Sequence, residues 1–181
     1  MAIESVGLFC AASESIDAIY VQHAHSVGRL IGSLNLTLVY GGARAGLMEA
    51  TAAAAKEAGA HIVGVFPKIL IERNRVSGLL DERVVTENLS DRKDNILSRS
   101  DVLLALPGGV GTLDEVFHVM AAATIGYHKK RVIFYNVNGF WDTLLCHLKE
   151  SGQRGFLRGE MSDFFVVAET LSQLEEFLSV E

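Results

Sequence analysis

Two short runs hold residue types able to do chemistry: Gly108-Gly109-Val110-Gly111-Thr112 with Glu115 three residues on, and Arg92-Lys93 within SDRKDN. Three glycines in five residues let the backbone turn tightly and aim several N–H groups at one point. A helix beginning there adds its positive end, and the sum is a phosphate cradle. A plain strand-to-helix turn uses the same residues, so that reading stands beside it. Thr112 and Glu115 spell T-x-x-E, a capping box in which the carboxylate returns a hydrogen bond to the cap and stabilises by about 1 kcal/mol. Alternatively, Glu115 lies one turn from a bound phosphate, off the stripe of Val116, Phe117 and Met120, and projects into a crevice. Arg92 and Lys93 stand at a helix start, where cations oppose the dipole. An anionic ligand would explain them, with the guanidinium gripping phosphate bidentately; the plainer account is solvated pairing with Asp91 or Asp94. His118 shares the face of Glu115 and is either its hydrogen-bond partner or an exposed polar residue. His23 and His25 cannot share a helix face, and no H-E-x-x-H set exists, so no metal site is expected.

These residues must be positioned by the elements around them. Val102 to Leu106 is a short apolar run bounded by Pro107 and glycines, as a buried parallel strand would be, and the apolar spacing from Leu113 to Ile125 predicts a helix capped by Thr112. Further strands are expected at Val6–Cys10, Thr37–Tyr40, His61–Phe66, Arg131–Asn136 and Phe164–Val167, with a possible short one at Arg83–Thr86. Helices are expected from Ser13 or Ser15 to Leu34, over Gly46–Ala58, Asp91–Ser100, Phe140–Glu150 and Leu171–Val180, and Pro67–Leu80 reads as a loop or short helix. Strands alternating with helices imply a Rossmann-like α/β fold, a doubly wound parallel sheet covered on both faces, in one domain over residues 1–181. In that topology the strand ending at Pro107 neighbours the first strand. The glycine loop then faces Phe9 to Ser13 across the crevice, with Gly41, Gly42 and Gly46 close by.

Composition narrows the ligand. The 181 residues are 49% hydrophobic and carry a net charge of −6 without basic blocks, so neither a nucleic-acid partner nor a membrane span is expected. Cys10 and Cys146 form no C-x-x-C pair and read as reduced thiols of a cytoplasmic protein, and the N-terminus lacks a basic leader. Gly109-Val110-Gly111 lacks the third glycine of a dinucleotide fingerprint and follows the wrong strand. No Lys follows the glycines as a Walker loop requires. A mononucleotide or sugar phosphate remains.

The run SDRKDNILSRSDVLLALPGGVGTLDEVF resembles the signature of the Lonely Guy family of cytokinin riboside 5′-monophosphate phosphoribohydrolases, R-K followed by P-G-G-x-G-T-x-x-E. VGLFCAAS, LVYGGARAGLMEA and KKRVIFYNVNGFWDTLL are similar to other stretches of that family, and the likeness runs from about Ser5 to Phe177. Members have been labelled possible lysine decarboxylases, although no segment resembles the Schiff-base lysine site of a pyridoxal enzyme. The resemblance implies hydrolysis of the N-glycosidic bond of AMP or N6-prenylated AMP to free base and ribose 5-phosphate, with no metal or organic cofactor and a homodimer as the working form. Arg92 and Glu115 match the family's catalytic pair. Gly108, Gly109, Val110, Gly111 and Thr112 would hold the 5′-phosphate, and Ser13, Gly41, Gly42, Gly46, Met48 and Lys93 would complete the pocket. The chain departs from the family pattern at Ala43 and Glu49, both glycines there, at Leu89-Ser90 and at Ala122 to Thr124. A non-catalytic nucleotide or phosphometabolite carrier on the same fold, with Glu115 only a cap, is the alternative.

Overall fold

The computed structural model describes residues 2–179. Apolar runs too short for helices become seven strands: β1 (Ser5–Phe9), β2 (Thr37–Tyr40), β3 (Ile62–Pro67), β4 (Glu82–Thr86), β5 (Val102–Ala105), β6 (Val132–Tyr135) and β7 (Phe165–Ala168). They form one sheet in the order β4-β3-β2-β1-β5-β6-β7, every recorded pair parallel. The helices are α1 (Ala18–Ser33), α2 (Gly46–Glu57), α3 (Lys68–Glu72), α4 (Leu89–Ser98), α5 (Val110–Thr124), α6 (Asp142–Gln153) and α7 (Leu171–Leu178). Since parallel strands need crossovers, the helices cover both faces: α1, α2 and α7 close one core, α4, α5 and α6 the other. The Rossmann-like architecture is as expected.

Several boundaries differ. The segment at Arg83–Thr86 is a true strand, from Glu82, at the sheet edge beside β3. The strand ending near Pro107 is therefore the fifth, though it still neighbours β1, with Phe9 opposite Ala105. Helix α1 starts later than Ser13 or Ser15 suggests, because Asp17 Oδ1 accepts from the Ile19 N–H at 3.0 Å and serves as N-cap. Helix α4 begins two residues before Asp91, capped by Asn88. Within Pro67–Leu80 only α3 is helical. Val180, the expected last residue of the closing helix, lies outside the described residues.

The alanines of α2 allow α1 to approach very closely. A Cβ on Gly28 would meet the Thr51 carbonyl oxygen and come within 2.9 Å of the Ala55 amide nitrogen, backbone atoms that cannot yield, and as close to the Ala54 Cβ. Gly28→Ala is expected to lower stability by about 1–3 kcal/mol through overpacking. Urea unfolding would read this as a lower midpoint at unchanged slope.

Candidate active site

At the C-terminal ends of β1, β2 and β5, three loops are tied together through the backbone. The Ala11 N–H donates to the Pro107 carbonyl at 3.1 Å, and the Ala11 carbonyl accepts from the Leu47 N–H at 3.0 Å. Gly46 permits the second contact: its φ is +53°, and a Cβ there would lie 2.7 Å from the Ala12 carbonyl carbon. Between the loops opens a cleft of about 370 Å³, lined by Cys10 to Ser13 from the first loop, Met48 of α2, Leu89, Arg92 and Lys93 of α4, and Gly109, Gly111, Thr112, Asp114 and Glu115 of α5. Its volume suits a small organic ligand.

Helix α5 begins earlier than Thr112 predicts. Gly109 is the N-cap, and the Leu113 N–H makes an early helical bond, to the Gly109 carbonyl at 3.0 Å. Residues 110–112 thus form the first turn, whose amides have no partner within the helix and sit at the positive end of its dipole. The capping box is overturned, because Thr112 is inside the helix and its buried hydroxyl packs on Gly108, where a Cβ would fall 2.6 Å from Thr112 Cβ. Of the five expected phosphate-loop residues, Gly109, Gly111 and Thr112 line the cleft; Val110 is 85% exposed and does not line it, and Gly108 lies against Thr112.

Glu115 is not off the apolar stripe but on it. The buried residues of α5 are Thr112, Glu115, Val116, Val119 and Met120, a helical i, i+3, i+4, i+7, i+8 set, whereas Phe117 and Ile125 are 39% and 62% exposed. Glu115 is 4% exposed, and burial pushes its carboxyl above the usual carboxylate range. Arg92 opposes that shift: its Nη1 donates to Glu115 Oε1 at 2.5 Å, and its Nε donates to the Val65 carbonyl at 3.1 Å. Beside it, Lys93 Nζ donates to both oxygens of Asp114 at 2.8 and 2.9 Å. Arg92 and Lys93 are thus engaged with carboxylates of α5, not with Asp91 or Asp94, and two ion pairs bind the start of α4 to the first turns of α5. Cys10 closes the floor, its thiol pushed up by burial and then by the Glu115 charge.

Other expected neighbours are placed elsewhere. His118 does not reach Glu115; its Nε2 lies 2.9 Å from Asp94 Oδ1. His23 Nδ1 lies 2.9 Å from the Tyr135 hydroxyl, away from the cleft. Gly41, Gly42 and Gly46 stand behind the cleft wall, whereas Ser13, Met48 and Lys93 line it. Leu89 and Asp114 line it unanticipated. The signal for Leu89 was an apolar residue opening an otherwise polar helix; for Asp114 it was adjacency to Glu115 at a helix start. Glu49 lies in the first turn of α2, where the dipole favours its charge. Among the described residues, no three His, Cys, Asp or Glu group as a metal site, and no helix is long and apolar enough to cross a membrane.

The model of the family described as "possible lysine decarboxylase" matches residues 48–178. A probable cytokinin riboside 5′-monophosphate phosphoribohydrolase of Oryza sativa subsp. japonica, LOGL2, is 35% identical over 96% of this chain and 71% of its own length. The chain belongs to the Lonely Guy family. Cytokinin riboside 5′-monophosphate phosphoribohydrolase LOG3 of Arabidopsis thaliana is 33% identical over 92% of this chain and 78% of its own length. Among solved structures, the molybdenum cofactor binding protein of Rippkaea orientalis superposes with a TM-score of 0.73 at 24% identity, covering 98% of this chain and 96% of that one, which bears on fold alone.

Proposed function

We propose that the protein hydrolyses the N-glycosidic bond of purine nucleoside 5′-monophosphates, AMP or N6-prenylated AMP, releasing free base and ribose 5-phosphate. The observation that carries this reading is a carboxylate, Glu115, held by Arg92 in the cleft about one helical turn, 5.4 Å, beyond the open amides that start α5. That spacing matches a nucleotide whose phosphate sits on the helix end and whose ribose reaches the carboxylate. The relatives' names as phosphoribohydrolases support the same reaction.

In this mechanism the amides of the loop, with Ser13 and Lys93, hold the 5′-phosphate, so binding energy from a group that does not react fixes the anomeric carbon beside Glu115. The electron pair of the C–N bond leaves with the base, and positive charge spreads over the ribose ring. Glu115 meets that charge in a site from which water is largely excluded. Water then supplies the oxygen at the anomeric carbon, and its proton ends on the base. No step draws on a metal or organic cofactor.

Glu115 acts ionised here, and its pKa lies above the free carboxylate value of about 4.3. The acid limb of kcat/KM is therefore expected above that pH, with activity rising as Glu115 loses its proton; a limb at or below it would contradict the role. A homodimer belongs to the same reading, seated on the exposed apolar residues Phe117, Ile125 and Tyr127. Chromatography after incubation with AMP or N6-prenyl AMP tests the whole: free base is expected. Nucleotide that binds without release of base would instead support the carrier.

A further inference from the structure

We propose that Gly41 is a positioning residue, whose missing side chain is the seat that holds the Arg92 guanidinium against Glu115. A Cβ on Gly41 would lie inside van der Waals contact of Arg92 Nη2 and 3.1 Å from Arg92 Cζ. The third-nearest atom, Met48 Sδ, is at 3.4 Å, an ordinary contact, so the guanidinium is the group that excludes a side chain. The backbone does not require glycine at this position, because Gly41 is absent from the residues of positive φ. Its neighbour Gly42 is the contrast, with φ +65° and a Cβ that would strike the Phe66 ring at 2.5 Å. Gly42 is glycine for the chain's own path; Gly41 is glycine for Arg92.

The seat matters because the guanidinium is fixed on three sides. Nε donates to the Val65 carbonyl within β3, Nη1 donates to Glu115 from α5, and Nη2 rests on Gly41 just after β2. Arg92 itself comes from α4, so one planar group ties β3 and the end of β2 to two helices. Adding a methyl group at Gly41 pushes the plane away, and Nη1 loses its line to Glu115. The other charged or titratable groups near Glu115 are Lys93 from α4, Asp114 on its own helix and the Cys10 thiol after β1. None of these supplies any of the three atoms nearest the Gly41 seat, so a change there reaches Glu115 through Arg92.

The test is a cycle of Gly41→Ala, Arg92→Ala and the double variant, and its activity arm rests on the proposed hydrolase. Gly41→Ala is expected to lower kcat about a hundredfold, as a misplaced catalytic frame does, and to move the acid limb upward as Arg92→Ala does. The double variant is expected to be no worse than Arg92→Ala alone. Losses that multiply in the double variant, or a Gly41→Ala enzyme with the wild-type acid limb, would overturn the proposal. Thermal melting gives a second readout that does not need turnover. Gly41→Ala is expected to lower the Tm of the wild type and to leave that of Arg92→Ala unchanged, and an equal drop in both backgrounds overturns the seat even if the protein proves to be a carrier. Should Gly41→Ala fail to fold where Arg92→Ala folds, removal of Arg92 is expected to rescue it, and a double variant less stable than Arg92→Ala counts against the proposal.

Discussion

Glu115→Gln is expected to cut turnover at least about a hundredfold, near 2.7 kcal/mol of transition-state stabilisation, while AMP affinity stays within about tenfold, or ~1.4 kcal/mol. The reason lies in the division of labour along α5. In the proposed mechanism the first-turn amides hold the phosphate, and the substitution leaves them untouched, so the ground state keeps its main anchor. The carboxamide still accepts from Arg92 and fills the same space, so the frame of α4 on α5 persists. Only the negative charge is lost, and charge is what the developing cation on the ribose requires. Titration calorimetry for AMP beside steady-state rates separates the two effects. Turnover equal to wild type would make Glu115 a structural residue.

Arg92→Ala should have the largest effect on the fold as well as on activity. The Arg92 and Glu115 side chains are 12% and 5% exposed, and removing one member of a pair this buried leaves a charge uncompensated, at a cost of about 3–5 kcal/mol. The pH dependence has a definite sign. Burial already raises the Glu115 pKa in the folded state, so its contribution to stability is fully present below the unfolded pKa of about 4.3 and is lost as pH rises through the folded value. Arg92 works against burial, and without it the folded pKa rises further. The stability deficit of Arg92→Ala should therefore be smallest near pH 4, where Glu115 is protonated, and grow towards neutrality. The acid limb of its residual activity should move up in parallel. Urea unfolding at the two pH values checks the first, and a deficit independent of pH would mean the guanidinium does not govern Glu115.

The parts of this architecture written in local pattern were legible in the sequence. β5 is apolar, short and closed by Pro107, and its loop lies beside the first strand because parallel doubly wound sheets leave few other places for it. β4 is weakly marked in the sequence because an edge strand pairs on one side and faces solvent, so Glu82, Arg83 and Thr86 leave only two apolar residues in it. Ser13, Ser15 and Asp17 are all competent N-caps. Asp17 is the one that caps, its Oδ1 accepting from the Ile19 N–H, whereas the Ser13 hydroxyl accepts from the Ser15 N–H, a choice that local pattern does not make.

The site divides in the same way. The glycine loop and its adjacent carboxylate announce themselves, but the pairing of Arg92 with Glu115 and of Lys93 with Asp114 spans more than twenty positions that no periodicity links. One local signal was present. Thr112, Glu115, Val116, Val119 and Met120 fit the helical repeat better than a stripe through Phe117, and that repeat places a carboxylate among core positions, where it needs a cation.

Analysis of the products formed by the wild-type protein from AMP and from N6-prenyl AMP tests the central claim most directly. Free base and ribose 5-phosphate are predicted in equal amounts from at least one of them, with no base from the matching nucleoside, which lacks the phosphate proposed to position the ribose. Nucleoside with inorganic phosphate, or both nucleotides recovered intact after binding, would contradict it.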